Sequence, residues 1–181
     1  MFIQRTMSLE EFDRFVALPE NRDHNFEYIA GEIVERVSND QTAGIAATIA
    51  TSIILYIAYN HLGHMLADGG YVVCDEIYFP TAGFLFNPRQ RKPDNMLYNP
   101  LAPHLAIEVR VTGTSEIVMT RKIGNYMIAG TMLWVVDPEF ETVDVYTPRQ
   151  PRRTLRVGDV FEDGTAFPGF TLAIAELFSK N

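Results

Sequence analysis

Three ionisable residues stand out because the elements that carry them should bring their side chains together. Glu108 interrupts residues 105–111, an apolar segment of the kind that forms a strand buried on both faces. An unpaired buried carboxylate costs on the order of several kcal/mol, so Glu108 must face a charged partner. Asp94 follows Pro93 at the predicted start of the preceding strand, and Lys122 lies on the helix predicted to come next.

This arrangement predicts a site for a divalent metal ion. Asp94 and Glu108 would lie within a few ångströms of each other if their strands are adjacent. Two carboxylates that close repel, and one takes up a proton unless a cation lies between them. Mg²⁺ is usually bound through one or two carboxylates and keeps water at its other positions. Lys122 could extend its ammonium group toward the same point from the edge of its helix.

Other interpretations of these residues remain open. Arg110 shares a strand face with Glu108, because side chains two residues apart point the same way, so the two could form a structural ion pair. Arginine stays protonated at all accessible pH and cannot act as a general base, although it could bind a phosphate bidentately. Lys122 could be an ordinary residue of an amphipathic helix. Glu32 could be a solvated turn charge, and Glu27 is expected at the surface or as an alternative ligand.

The elements that must position these residues follow from local patterns. Ser8 and Glu11 form a capping box for a first helix, and a hairpin turns at Ala30–Gly31. A long apolar helix follows over about residues 40–61, and a later helix over 116–129 is capped by Ser115 and closed by Gly130. Strands are predicted at 71–79, around a hairpin whose second strand opens at Asp94, at 105–111, and on both sides of 138–141. The pattern predicts one α/β domain over residues 1–181, with a mixed sheet flanked by helices.

Composition limits the classes of function. The chain has 181 residues, 47% of them hydrophobic, and one cysteine, which excludes an internal disulfide and favours the cytoplasm. Residues 41–60 carry no charge, but their threonines and glycines favour a helix buried against a sheet over a membrane span. The net charge of −8 argues against indiscriminate coating of nucleic acid, yet allows a local basic rim. Basic residues cluster at Arg89, Arg91 and Lys92, and again at Arg149, Arg152, Arg153 and Arg156.

Five short motifs occur in a fixed order: Gly31–Glu32, Pro93–Asp94, IEV at 107–109, Lys122 with Tyr126, and WVVDP at 134–138. In this order they resemble the Uma2 (DUF820) family of the PD-(D/E)XK nuclease-like superfamily, which includes many restriction-type endonucleases of bacteria. The resemblance extends from about Ser8 to the closing apolar turn. It implies a restriction-endonuclease-like core with an N-terminal helix and hairpin.

The resemblance also implies roles for individual residues. Asp94 and Glu108 would bind Mg²⁺ or Mn²⁺, with the Val109 carbonyl as a third ligand and Glu32 as an additional acidic residue. Lys122 would replace the motif lysine and stabilise charge on the phosphoryl oxygens. The partner would be nucleic acid, DNA in particular, and the protein a homodimer if it cuts both strands.

Two departures from the family pattern favour a second interpretation. Arg110 stands where the motif has lysine, and the start of the long helix has no histidine. A catalytically inactive module that binds nucleic acid or protein on the same fold is therefore the alternative. Hydrolysis of another phosphorylated substrate is a third option, because a fold does not fix the substrate.

Overall fold

The computed structural model describes residues 7–62, 64–67, 69–85, 92, 94–163 and 167–179. In these ranges the chain forms four α-helices, α1 (Leu9–Val16), α2 (Asp40–Asn60), α3 (Glu116–Ala129) and α4 (Ile174–Phe178), and a short 3-10 helix at Pro19–Asn21. The predicted capping box of Ser8 and Glu11 begins α1. Ser115 caps α3, and Gly130 closes it in the left-handed conformation. Each of these boundaries was predicted from local sequence and is confirmed.

The strands of the described ranges are β1 (Phe26–Ile29), β2 (Glu32–Glu35), β3 (His64–Ala67), β4 (Tyr71–Val73), β5 (Glu76–Tyr78), β6 (Ala82–Leu85), β7 (Leu105–Val109), β8 (Met132–Asp137), β9 (Thr142–Tyr146), β10 (Arg153–Arg156), β11 (Val160–Asp163) and β12 (Phe167–Ala173). Six of them form a central sheet in the order β10-β9-β8-β7-β6-β3. The β7–β8 pair is parallel and is connected through α3, whereas the other pairs are antiparallel. The predicted mixed sheet flanked by helices is therefore confirmed.

A second sheet, in the order β2-β1-β5-β4, is made from two hairpins. The first turns at Ala30–Gly31 as predicted. The second corrects a prediction, because residues 71–79 are two strands and not one. Cys74 and Asp75 both have positive φ, at 50° and 62°, and this left-handed pair reverses the chain. Neither residue is glycine, so the sequence carried no strong signal for the turn.

The core lies on both faces of the central sheet. One face packs against α2, whose Ile45, Ile49, Ile53 and Ile57 are all buried. The other packs against α3 through residues that include Met119 and Tyr126. Among the described helices only α2 is long and apolar enough to cross a membrane. Its buried isoleucine stripe, repeated every four residues, is the pattern predicted for a helix packed on a sheet.

The strand beside β7 also corrects a prediction. β6 pairs antiparallel with β7, with Ala82 opposite Ile107, and no strand opens at Asp94 within the described part of the chain. Asp94 lies in a turn, and the residue that directly precedes β6 is Thr81, which follows Pro80. The position predicted for an aspartate beside Glu108 is therefore held by a threonine.

Candidate active site

A buried ammonium group joins two carboxylates between the two sheets. Lys122 Nζ lies 2.6 Å from Glu108 Oε1, and 2.9 and 3.1 Å from the two carboxylate oxygens of Glu27. All three residues are about 95% buried. Each buried charge thus has an opposite charge in direct contact, which is the condition for burying it at all. We call these three residues the triad.

Each member of the triad is placed by a different element. Glu108 comes from the central strand β7. Lys122 lies on the buried face of α3, between Met119 and Tyr126 at helical spacing. Glu27 alternates with half-buried residues on β1, and its Oε1 also accepts a hydrogen bond of 2.7 Å from the Phe79 N–H. The triad therefore depends on the packing of both sheets and of α3.

Burial and the neighbouring opposite charges shift the pKa values of Glu108 and Lys122 in opposite directions. Burial raises the pKa of Glu108, the charge of Lys122 lowers it, and Glu27 adds to the rise, so the net shift is upward. Burial alone would lower the pKa of Lys122, but the charges of Glu108 and Glu27 outweigh it and raise the pKa. Lys122 consequently stays charged at neutral pH.

Two tyrosines complete the surroundings of the triad. Tyr126 donates a hydrogen bond of 3.1 Å to Glu108 Oε1, and burial raises the pKa of Tyr126 well above its usual value, so it remains a donor. The ring centroid of Tyr78 lies 5.2 Å from Lys122 Nζ, within cation–π range. Tyr126 is therefore both a core residue and a polar contact of the site.

The triad lies at one wall of a cleft of about 560 Å³. A second wall comes from α2 and is formed by small residues, Ala43, Ala46, Ala47 and Ala50. The loop of residues 111–115, between β7 and α3, closes a third side. Because Glu27, Glu108 and Lys122 all line this space, a ligand in the cleft can reach charged groups that are otherwise shielded from water.

Thr81 stands beside Glu108 at this cleft. Extending the β6–β7 register by one residue from Ala82–Ile107 places Thr81 opposite Glu108. The Thr81 hydroxyl oxygen accepts a hydrogen bond of 3.2 Å from the Val109 N–H. Directly opposed residues on antiparallel strands have Cβ atoms about 5 Å apart. An acidic residue at position 81 would therefore complete a carboxylate pair, which threonine cannot do.

The acidic residues predicted to join Glu108 lie elsewhere. Asp94 is exposed, Glu32 is exposed at the start of β2, and neither lines the cleft. Asp94 fails to reach Glu108 because β6, not a strand at residue 94, pairs with β7. Val109 does line the cleft. The predicted ligand set of Asp94, Glu108, Val109 and Glu32 is thus not assembled.

Arg110 also differs from its prediction. β7 ends at Val109, so the strand alternation that would align Arg110 with Glu108 does not continue. The guanidinium group instead forms an ion pair with Glu116 at the start of α3, and Nε lies 3.8 Å from Asp137 Oδ2. Arg110 is not among the residues that line the cleft. The Glu108–Arg110 ion pair, left open as an alternative, is therefore not formed.

These residues do not fit the predicted two-carboxylate metal centre. Lys122 already contacts the carboxylates of Glu27 and Glu108, and Thr81 has no carboxylate to offer. Within the ranges that the structure describes, no group of three or more His, Cys, Asp or Glu side chains could hold a metal ion. The predicted roles of Asp94, Glu108, Lys122 and Arg110 in catalysis stay predictions.

Glu27, which was expected at the surface or as an alternative ligand, is buried in the triad. The available signal was strand alternation: Glu27 lies two residues before Ile29, and both are buried on the same face of β1. A third buried acid, Glu76, lies outside the triad and supports α3. Its Oε1 lies 2.6 Å from Arg121 Nη2 and accepts 2.8 Å from the Ala30 N–H. Glu76 thereby ties α3 to both hairpins of the smaller sheet.

The sheet order, the crossover through α3 and the cleft define an α/β domain of nuclease-like fold. The model of the Uma2 family, described as "Putative restriction endonuclease", matches residues 9–175. The chain belongs to the Uma2 family, as the sequence motifs predicted. No curated protein matches the chain.

A solved structure supports the fold. The chain is similar to the crystal structure of a "putative nuclease belonging to DUF820" from Anabaena variabilis ATCC 29413, with a TM-score of 0.82 and 22% identity. The match covers 95% of this chain and 97% of that chain. At this level of identity the similarity establishes the architecture.

Proposed function

We propose that this Uma2 chain binds nucleic acid on a nuclease-like fold without cleaving it through a divalent metal ion. The observation that carries the proposal is Thr81, a neutral residue that directly precedes β6 and lies opposite Glu108. A second carboxylate at this point would create the repulsion that a divalent ion relieves. With threonine there, Lys122 is the cation that compensates the buried acids.

The electrostatic balance of the triad supports the same conclusion. Both oxygens of Glu27 are bound by Lys122, and Glu108 Oε1 is shared by Lys122 and Tyr126. A metal ion entering the cleft would have to displace these contacts or approach the ammonium group closely. Like charges at such distances in a buried site repel strongly.

Nucleic acid, and DNA in particular, is the partner that family membership favours. The description of the family names a restriction endonuclease, and the similar structure is named as a nuclease. The predicted homodimer and the bacterial cytoplasm remain part of the same proposal.

The second candidate is a metal-dependent endonuclease that uses Mg²⁺ or Mn²⁺. It is favoured by one observation: Glu108 and Lys122, both predicted catalytic residues, lie together and line an accessible cleft. In this case Glu108 would be the carboxylate ligand of the metal ion. Asp94 could join it as a ligand only if the residues around its turn rearranged.

Calorimetric titration with Mn²⁺, paired with cleavage assays on plasmid DNA and single-stranded oligonucleotides, separates the two candidates. We expect neither saturable Mn²⁺ binding nor metal-dependent cleavage by the wild type. Thr81→Asp should gain saturable Mn²⁺ binding, and adding Glu108→Gln to that variant should abolish it.

Thr112→Asp is the matched control, because Thr112 lines the same cleft without lying opposite Glu108. It adds an equal charge and should not gain Mn²⁺ binding. Metal-dependent cleavage by the wild type that disappears in Glu108→Gln would establish the endonuclease and overturn our proposal.

A further inference from the structure

A cluster of arginines lies at one edge of the central sheet, away from the cleft. Arg149, Arg152, Arg153 and Arg156 fall within eight residues, in a chain with 15 Lys and Arg residues and a net charge of −8. All four are exposed. β10 carries the last two of them and, among the described strands, pairs only with β9. We call residues 149–156 the basic edge.

Most of this positive charge is uncompensated. Arg152 Nη1 lies 3.4 Å from Asp144 Oδ2. Arg153 lies over the ring of Phe161, at 5.6 Å from its centroid. Within the described part of the chain, Arg149, Arg153 and Arg156 form no ion pair with a carboxylate. Three guanidinium groups are therefore available to an external anion on an otherwise acidic molecule.

Arg156 lies at the same end of the sheet as the cleft, whereas Arg149 and Arg152 lie in the turn between β9 and β10 at the other end. Arg156 lies opposite Thr142 on β9, and Thr142 lies opposite Asp137 at the end of β8. Asp137 follows Val136, which pairs with Val109 at the cleft. Since neighbouring strands lie about 4.8 Å apart, β10 is about 14 Å from β7. A single extended ligand can span this distance.

We propose that the basic edge binds the phosphate backbone of a nucleic acid and directs it along β10 toward the end of the sheet where the cleft lies. The partner class rests on the function proposed above, whereas the location rests on the arginines themselves. Guanidinium groups bind phosphate oxygens bidentately, which suits arginine better than lysine at such a surface. Arg153 and Arg156 are about 10 Å apart along β10 and point to opposite faces of the strand, so they flank its exposed edge from both sides.

Edge protection is the competing explanation for these arginines. Charged side chains on an edge strand prevent it from pairing with other chains. In that case the loss of these arginines should promote aggregation and leave the affinity for nucleic acid unchanged. Phosphate binding predicts a lower affinity for nucleic acid without aggregation.

The test measures fluorescence anisotropy of labelled 20-nucleotide DNA, single-stranded and duplex, in EDTA over a series of NaCl concentrations. Arg149→Gln/Arg156→Gln is the test variant. Arg14→Gln/Arg22→Gln is the control, because it removes the same charge from exposed residues on and after α1. We expect the test variant to bind roughly tenfold more weakly, and its log–log salt slope to fall by about 0.7–0.9 for each lost phosphate contact.

Several outcomes would overturn the inference. If the test and control variants lose the same affinity for DNA, the effect comes from overall charge and not from the basic edge. If the test variant keeps its affinity but aggregates, the arginines protect the edge strand. Binding of poly-glutamate but not of DNA through Arg149 and Arg156 would identify an acidic protein partner instead. If the wild type binds DNA and the test variant binds equally well, the basic edge fails while the proposed function stands. Because EDTA removes divalent metal, cleavage activity does not affect this result.

Discussion

Lys122 holds Glu108 and Glu27 together: its ammonium nitrogen lies 2.6 Å from one carboxylate and 2.9 Å from the other. One ammonium group thus contacts two buried carboxylates. Removing the lysine leaves two acids facing each other, whereas removing one acid leaves a balanced pair. The three residues should therefore respond very differently to substitution.

Lys122→Met tests this asymmetry, because methionine fills similar space without charge. Loss of one partner of a buried ion pair costs about 3–5 kcal/mol, so the free energy of unfolding should fall by that amount at pH 7. Urea unfolding followed by circular dichroism measures it. Adding Glu27→Gln and Glu108→Gln should recover much of the loss, and a Lys122→Met variant as stable as the wild type would contradict the structure.

Glu108→Gln should change how stability depends on pH. The pKa of Glu108 is raised in the folded state, first by burial, so the folded protein binds this proton more tightly than the unfolded chain does. The contribution of Glu108 to stability therefore falls as the pH rises above 4.5, its ordinary value.

Urea unfolding of the wild type and Glu108→Gln between pH 4 and pH 8 checks this sign. The stability of the wild type relative to the variant should decrease with rising pH. A relative stability that increases over this range would show that the charge of Lys122 lowers the pKa of Glu108 by more than burial raises it.

Tyr126→Phe removes the hydroxyl that donates to Glu108 Oε1. Hydrogen bonds to charged groups contribute about 1.5–3 kcal/mol, and we expect a loss of that size in the free energy of unfolding. Tyr59→Phe is the matched control, because Tyr59 is 86% exposed and should change stability little. Equal effects at both positions would exclude the buried hydrogen bond.

Gly83→Ala tests the close packing across β6. A Cβ at this position would lie 2.5 Å from the ring of Tyr71, which is fully buried. Overpacking of this kind costs about 1–3 kcal/mol, which thermal unfolding would detect as a lower Tm. Gly44→Ala in α2 meets nothing within 4 Å and should raise stability by about 0.5–1 kcal/mol.

The parts of the fold that could be predicted from the sequence depend on local signals. The caps of α1 and α3 involve residues three positions apart, so Ser8 and Ser115 could be identified directly. The turn between β4 and β5 was missed because Cys74 and Asp75 adopt positive φ without glycine. Its conformation is imposed by the pairing of the strands and not by local preference.

The candidate site, too, could be predicted only where local sequence carries the signal. Glu108 and Lys122 were predicted because a charge within an apolar strand demands a partner. Asp94 was predicted because an aspartate after a proline offers the expected chemistry, whereas Thr81, which also follows a proline, carried no such signal. Which of the two lies beside β7 is set by strand pairing between distant residues, and one sequence does not reveal it.

The triad draws its members from positions 27, 108 and 122, so its only positive charge is the last to leave the ribosome during synthesis. Until α3 is complete, the nascent chain carries two acids destined for the interior without the ammonium group that contacts both. A fragment that ends at residue 115 lacks this lysine and also β8, a partner of β7, so it cannot form the core around Glu108. Because Lys122 is synthesised after both acids, these two buried carboxylates can gain their shared ammonium partner only once α3 has been made.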